Sequence, residues 1–138
     1  MAENFYVNTV GAVPANKLSE AVSLGVKLAE ESKVAGSTRA SVGTIMTGTN
    51  AGSVVFQQFF NSLNDFANVM DAFAASSTYG KIMETGLTVT MRNIAKFCDV
   101  PFDAPANPQR KYVILRCCQT NLNIRKKHIK SIIMRHRN

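Results

Sequence analysis

The feature that most constrains the fold is an order of strand, helix and strand that occurs twice in the first hundred residues. The first copy fills residues 5–47 and the second fills residues 54–94. In each copy a run rich in aromatic and β-branched residues precedes a segment whose apolar positions recur every three to four residues, which is the periodicity of one helix face. The order β-α-β-β-α-β therefore predicts a fold, although it does not indicate a reaction.

Local signals place the ends of the predicted elements. Asn16 is a suitable N-cap for the first helix, and residues 36–38 (Gly-Ser-Thr) end it. Ser62 with Asp65 resembles a capping box at the start of the second helix, in which Asp replaces the usual Glu. Residues 76–78 (Ser-Ser-Thr) interrupt that helix before a last turn. The predicted strands occupy residues 5–10, 39–47, 54–60 and 87–94.

These elements predict an α+β, ferredoxin-like sandwich with a four-stranded antiparallel sheet and two helices on one face. An antiparallel sheet with one face in water should alternate apolar and polar residues, but the first three strands do not alternate cleanly. We therefore expect a homodimer in which two sheets face each other across a cavity. The fourth strand does alternate, with Leu87, Val89 and Met91 on one side and Thr88, Thr90, Arg92 and Ile94 on the other.

Five segments carry a resemblance to a known group of proteins: residues 5–10, 39–46, 54–60, 62–66 and 79–83. Over roughly residues 4–100 the chain resembles the dimeric α/β-barrel superfamily, which includes the antibiotic-biosynthesis monooxygenase-like and stress-responsive barrel families, and it is most similar to an uncharacterised branch. The resemblance implies a dimer that binds a small molecule. The alternative it implies is a cofactor-independent monooxygenase acting on a small aromatic or phenolic substrate.

The residue types available limit the chemistry. Residues 1–127 contain no His and the whole chain contains no Trp, so the usual axial ligand of haem and the commonest general base are missing. No catalytic residue of the superfamily can be matched by position, and we predict no cofactor. Whether the chain is an enzyme stays open.

Polar residues on the strands are the candidates for a ligand site within the predicted cavity. A small polar or aromatic ligand would be oriented by Tyr6, Asn8, Ser41, Gln57, Thr90 and Arg92. Arg92 is the strongest candidate, because a guanidinium in a cavity requires an anion or a carboxylate partner. Asp99 or Glu3 could be that partner, and the polar residues could equally satisfy one another, water or the rim of the dimer.

Three motifs do not support a function. Residues 43–49 begin like a phosphate-binding loop, but Thr49 stands where that loop needs Lys, and the segment lies in a hairpin. Cys98 has no His in the body of the domain to activate it. The spacing of Cys117, Cys118, His128 and His136 does not match a metal site.

The basic charge is concentrated at one end of the chain. Residues 1–100 carry seven basic and eight acidic side chains, whereas residues 101–138 carry nine basic side chains and one acidic. We predict a domain over 1–100, a Pro-rich linker over 101–108 and a basic tail over 109–138, with no signal peptide and a cytoplasmic location. Binding of nucleic acid or membrane through Arg125, Lys126, Lys127 and Lys130 is one interpretation; we prefer a weakly ordered extension or a truncated or frame-shifted second repeat.

Overall fold

A computed structural model describes residues 3–97, which form four strands and three α-helices. The strands are β1 (Phe5–Ala12), β2 (Arg39–Thr44), β3 (Val54–Phe60) and β4 (Thr88–Lys96), and the helices are α1 (Leu18–Ala35), α2 (Leu63–Ala74) and α3 (Ser77–Glu84). All neighbours in the sheet are antiparallel, in the order β2-β3-β1-β4. The predicted ferredoxin-like α+β fold is confirmed.

The core lies between the helices and one face of the sheet. Val7 on β1 and Phe60 on β3 are fully buried against Leu28 of α1 and against Val69 and Phe73 of α2. Burying side chains of this size stabilises the fold by about 1.5–3 kcal/mol each. The register pairs Val7 with Gln58 and Thr9 with Phe56, so odd-numbered residues of β1 and even-numbered residues of β3 face the helices.

The first helix begins differently from the prediction. Asn16 is not its N-cap: it lies in a 3-10 turn, Ala15–Lys17, that precedes Leu18, and the N-cap Lys17 makes no capping hydrogen bond. The turn follows Pro14, whose carbonyl accepts a hydrogen bond from the backbone N–H of Lys17 at 2.8 Å. The C-terminal end is as predicted, because Gly36 adopts a φ of 142° that other residues rarely adopt.

The second helical segment consists of two helices. Ser62 caps α2 by accepting a hydrogen bond from the backbone N–H of Asp65 at 3.2 Å, and its hydroxyl donates to the Asp65 carboxylate. Ser76 caps α3 in the same manner through the N–H of Tyr79. The predicted interruption is therefore confirmed, and the segment that follows it is a full helix of eight residues.

A β-bulge changes which side chains of β4 share a face. Val10 pairs with Met91 but Gly11 pairs with Val89, so Thr90 is an extra residue on β4. Arg92 pairs with Thr9 and Ile94 pairs with Val7, which places both on the helix side. The prediction that Val89 and Met91 share a face is wrong for this reason.

Glu31 connects the first helix to the third. Its carboxylate on α1 accepts hydrogen bonds from the hydroxyl groups of Ser76 and Thr78 at the N-terminus of α3. These two bonds, Ser76 first, lower the pKa of Glu31. A carboxylate near a helix N-terminus is also favoured by the helix dipole. The charged form of Glu31 therefore stabilises the packing of α3 against α1.

We expect Glu31→Gln to lower the free energy of unfolding by about 1–2 kcal/mol at neutral pH, because it removes the charge and leaves one acceptor oxygen for the two hydroxyl groups of Ser76 and Thr78, at a half-buried position. A lowered pKa in the folded state means that this stabilisation is present above the ordinary pKa of glutamate and is lost as the pH falls through the folded value. Urea denaturation at several pH values measures both effects. Glu30→Gln, an exposed neighbour on the same helix, should change stability by less than half as much.

The remaining predictions for the tail lie outside the described residues. They concern Cys98, Asp99, the linker over 101–108 and the basic segment over 109–138. Within residues 3–97, no helix has the length and apolar character needed to cross a membrane.

Candidate ligand cavity

A cavity of about 60 Å³ lies between the sheet and the helices. Its walls are mostly apolar and come from all three helices and from the helix-facing side of the sheet. Ala21 and Leu28 of α1 and Phe73 of α2 are buried at its inner end, whereas Met83 and Val89 at its opening are 40% and 38% exposed. The cavity therefore has a closed apolar end and a mouth beside β4.

Two glycines let the surrounding elements approach closely at this cavity. A Cβ atom on Gly11 would lie 2.7 Å from Leu87, and one on Gly25 would lie 2.8 Å from Val42. Real Cβ atoms essentially never come so close to another carbon. Because all four residues line the cavity, the two glycines determine how near Leu87 and Val42 come to the backbone and hence the shape of its walls.

Arg92 lies at the cavity mouth and is held by one hydrogen bond. Its Nε donates a hydrogen bond to the Thr9 hydroxyl at 3.1 Å. Thr9 is the residue of β1 that pairs with Arg92 of β4. The guanidinium has four further N–H groups, and Arg92 forms no ion pair with another described residue. Glu3, one of the partners the sequence suggested, binds Arg39 instead.

Gln58 brings a buried amide to the wall of the cavity. It is 2% exposed, and its Nε2 donates to the Ser32 hydroxyl at 2.8 Å. Ser32 in turn shares a 2.8 Å hydrogen bond with Ser37, and both serines are buried. This chain orients the amide, and the Gln58 side chain lines the cavity.

Four of the six predicted site residues lie on the opposite face of the sheet, or at its edge, and partly satisfy one another. Gln57 donates from Nε2 to the Tyr6 hydroxyl at 2.8 Å, and Ser41 donates to Gln57 Oε1 at 3.4 Å. Asn8 faces the same side, and its Oδ1 is buried with no hydrogen-bond partner among residues 3–97. The structure thus brings together Tyr6, Asn8, Ser41 and Gln57 but separates them from Arg92.

Thr90 belongs to neither group, because it is the extra residue of the bulge. Its hydroxyl donates to the backbone carbonyl of Val10 at 3.3 Å. The Thr90 hydroxyl is therefore already hydrogen-bonded to the backbone of β1.

A charged and aromatic cluster occupies the β2 end of the face opposite the helices. Glu3 accepts two hydrogen bonds from the Arg39 guanidinium, each at 2.8 Å, and Arg39 lies 4.0 Å from the centre of the Phe59 ring. The Arg39 hydrogen bond is the largest cause of the lowered pKa of Glu3. Phe59 also contacts the rings of Tyr6 and Phe97, at 5.1 and 6.1 Å between centres. This arginine is thus already neutralised by Glu3.

Sequence reasoning missed Thr9 and Gln58 as components of the cavity. A signal for Gln58 existed, since β3 (Val54–Phe60) is otherwise apolar apart from Gln57, and of two adjacent strand residues one must face the helices. Nothing in the sequence pointed to Thr9, which became relevant only through its pairing with Arg92. Among residues 3–97 no three His, Cys, Asp or Glu side chains cluster as a metal site would require.

Comparison with protein families supplies a match over nearly all of the described residues. Residues 3–97 match the model of a domain of unknown function, DUF6854. The chain belongs to this family. No curated protein matches the sequence. No activity of the DUF6854 domain can therefore be inferred from a characterised relative.

Solved structures confirm the fold of this DUF6854 domain. A dimeric ferredoxin-like protein from an uncultured marine organism aligns with a TM-score of 0.54 and 15% identity, covering 75% of this chain and all of that one. A NIPSNAP family protein of unknown function from Agrobacterium tumefaciens gives 0.54 and 15%, covering 68% and 87%. A cofactor-independent oxygenase from Streptomyces nogalater gives 0.51 and 11%, covering 74% and 100%. At such identities the likeness establishes the ferredoxin-like α+β fold and no activity.

Proposed function

We propose that this protein binds a small molecule whose apolar part enters the cavity between sheet and helices and whose anionic group binds Arg92. The observation that carries the proposal is the position of Arg92, which lies at the mouth of an apolar cavity, is oriented by Thr9 and has no carboxylate partner among the described residues. A guanidinium forms strong, paired hydrogen bonds with a carboxylate or phosphate.

The size of the cavity restricts the apolar part of the ligand. The cavity volume of about 60 Å³ is less than half of the roughly 150 Å³ that accommodates benzene in a dry engineered cavity. A short aliphatic chain can enter it, whereas a ring requires a wall residue to move. Met83 and Leu87 at the wall have flexible side chains that could move in this way.

We further propose that the protein is a homodimer formed through the sheet face opposite the helices. That face carries the partly exposed side chains of Val55, Phe59 and Met91, and one of the structures with this fold is described as dimeric. Such a dimer leaves the cavity of each protomer on the outer side of its own sheet. Ligand binding at Arg92 would then not depend on the dimer interface.

Titration with alkanoates tests the ligand proposal. We expect butanoate, pentanoate and hexanoate to shift the NMR signals of the Leu87 and Met83 methyl groups in the full chain. Alcohols of equal length should bind about tenfold more weakly, which corresponds to roughly 1.4 kcal/mol for the charged hydrogen bonds. Arg92→Gln should abolish this preference for the carboxylate.

Arg39→Gln is the matched control, because Arg39 is a strand arginine on the other face of the sheet. It should leave the preference for alkanoates over alcohols unchanged. Equal affinity for alkanoates and alcohols in the wild-type protein would refute the proposal. So would shifts centred on Val55 and Met91, which would place the ligand between the sheets as the sequence suggested.

An oxygenase acting on a small phenolic substrate remains the second candidate, as the resemblance implied. The Streptomyces nogalater oxygenase has a similar fold, and the phenolic side chain of Tyr79 is part of the cavity wall. A phenol ring is larger than the cavity, so this reaction would need Leu87 or Met83 to move first.

A further inference from the structure

Gln58 is a polar side chain in a wall that is otherwise largely apolar. At 2% exposure it is removed from bulk water, and moving an amide into such surroundings without hydrogen bonds is costly. One N–H of the amide is satisfied by Ser32 at 2.8 Å. No hydrogen bond joins its carbonyl oxygen to another described residue.

These facts place an acceptor at the cavity surface. Gln58 lines the cavity, so the cavity is the space from which a ligand's donor can reach this carbonyl. The buried Ser32 and Ser37 pair holds the other end of the amide. Because the amide is anchored on one side, its carbonyl is oriented before any ligand arrives, which reduces the entropic cost of binding.

We infer that Gln58 selects ligands that carry a hydroxyl or other hydrogen-bond donor on the end that enters the cavity. This inference rests on the proposed function, in which Arg92 binds the anionic end. Arg92 pairs with Thr9, Thr9 pairs with Phe56, and Gln58 lies two residues further along β3. Strand spacings of about 4.8 Å and rises of about 3.3 Å per residue put the two Cα atoms about 12 Å apart. The ligand class is therefore a hydroxy acid with its two polar groups at opposite ends of a short aliphatic chain.

Pairs of probes of equal size test this selection. Each ω-hydroxy acid is compared with the alkanoate in which a methyl group replaces the hydroxyl: 4-hydroxybutanoate with pentanoate, 5-hydroxypentanoate with hexanoate, and 6-hydroxyhexanoate with heptanoate. We expect the wild-type protein to bind the hydroxy acid at least threefold more tightly in at least one pair. Gln58→Met, which keeps the length of the side chain, should reverse the preference at least threefold.

Two further variants control the experiment. Gln57→Met alters the adjacent residue on the opposite face and should leave the preference of the wild-type protein intact. Ser32→Ala removes the anchor of the amide and should reduce the preference while alkanoates still bind. Ser32→Ala carries the test if Gln58→Met does not fold.

The outcomes separate this inference from the proposed function. If alkanoates bind through Arg92 but the hydroxyl gives no advantage in any pair, the role of Gln58 is refuted and the Arg92 site stands. Loss of the preference in Gln57→Met also refutes it, because the ligand would then lie on the other face. If neither series binds, both proposals are wrong.

Discussion

Phe60→Ala is expected to lower the free energy of unfolding by about 3–5 kcal/mol, which is a large part of the total stability of a domain of this size. Phe60 has no exposed surface and packs edge-to-face against Phe66, with 5.6 Å between ring centres. It lies in the central strand pair beside Phe5 and is part of the cluster formed by the sheet and the three helices. Truncation of Phe60 to Ala leaves a cavity, and this cavity is filled only if several surrounding elements move inward.

Chemical denaturation followed by circular dichroism measures this change. Leu63→Ala is the control, because Leu63 is a large apolar residue at the start of α2 that is 50% exposed. Its substitution should cost less than about 1 kcal/mol, the usual range for positions that leave no cavity. Similar effects of the two substitutions would mean that the core does not lie between the helices and this face of the sheet.

Val55→Arg is expected to convert the proposed dimer into a monomer. Val55 pairs with Val10 and Gly43 on the face opposite the helices, where two sheets would meet. In a twofold-symmetric interface the substitution occurs twice, so two unpaired charges would be buried. Burying one such charge commonly costs about 3–5 kcal/mol, so the dissociation constant should rise more than a hundredfold.

Sedimentation of the full chain over a range of concentrations measures the change. Val26→Arg is the matched control, since Val26 is 51% exposed on α1, away from the proposed interface, and should leave the dimer intact. Circular dichroism verifies that both variants are folded. A wild-type protein that stays monomeric at high micromolar concentration would rule out the dimer, but it would leave the cavity beside Arg92 unaffected.

The cavity beside Arg92 does not depend on a dimer, and this changes the functional prediction that followed from the sequence. The uneven alternation of the strands suggested a ligand chamber between two sheets, with Tyr6, Gln57 and Arg92 around it. Tyr6 and Gln57 do face that side, and they hydrogen-bond to each other at 2.8 Å. Arg92 lies on the other side, at the mouth of a cavity within the single chain. The residues of the candidate ligand site therefore all belong to one chain.

Much of the fold was predictable because its signals are local. The run of aromatic and β-branched residues in β3 placed that strand at residues 54–60, as observed. Ser62 correctly predicted the start of α2, because a hydroxyl group just before an apolar helical stripe can accept a hydrogen bond from a free backbone N–H of the first turn. Asn16 was predicted as an N-cap on the same grounds, and that prediction is wrong. The Pro14 carbonyl accepts a hydrogen bond that closes a 3-10 turn before the helix begins.

The amino-acid sequence by itself determined the order of the elements, since hydrophobic periodicity and capping depend on residues a few positions apart. The tertiary structure decided which residues meet. The extra residue at Thr90 turns Arg92 toward the helices, Gly11 and Gly25 admit Leu87 and Val42 at close range, and Ser32 holds Gln58 from a distant helix. These contacts join parts of the chain far apart in sequence, and no local pattern encodes a distance between them.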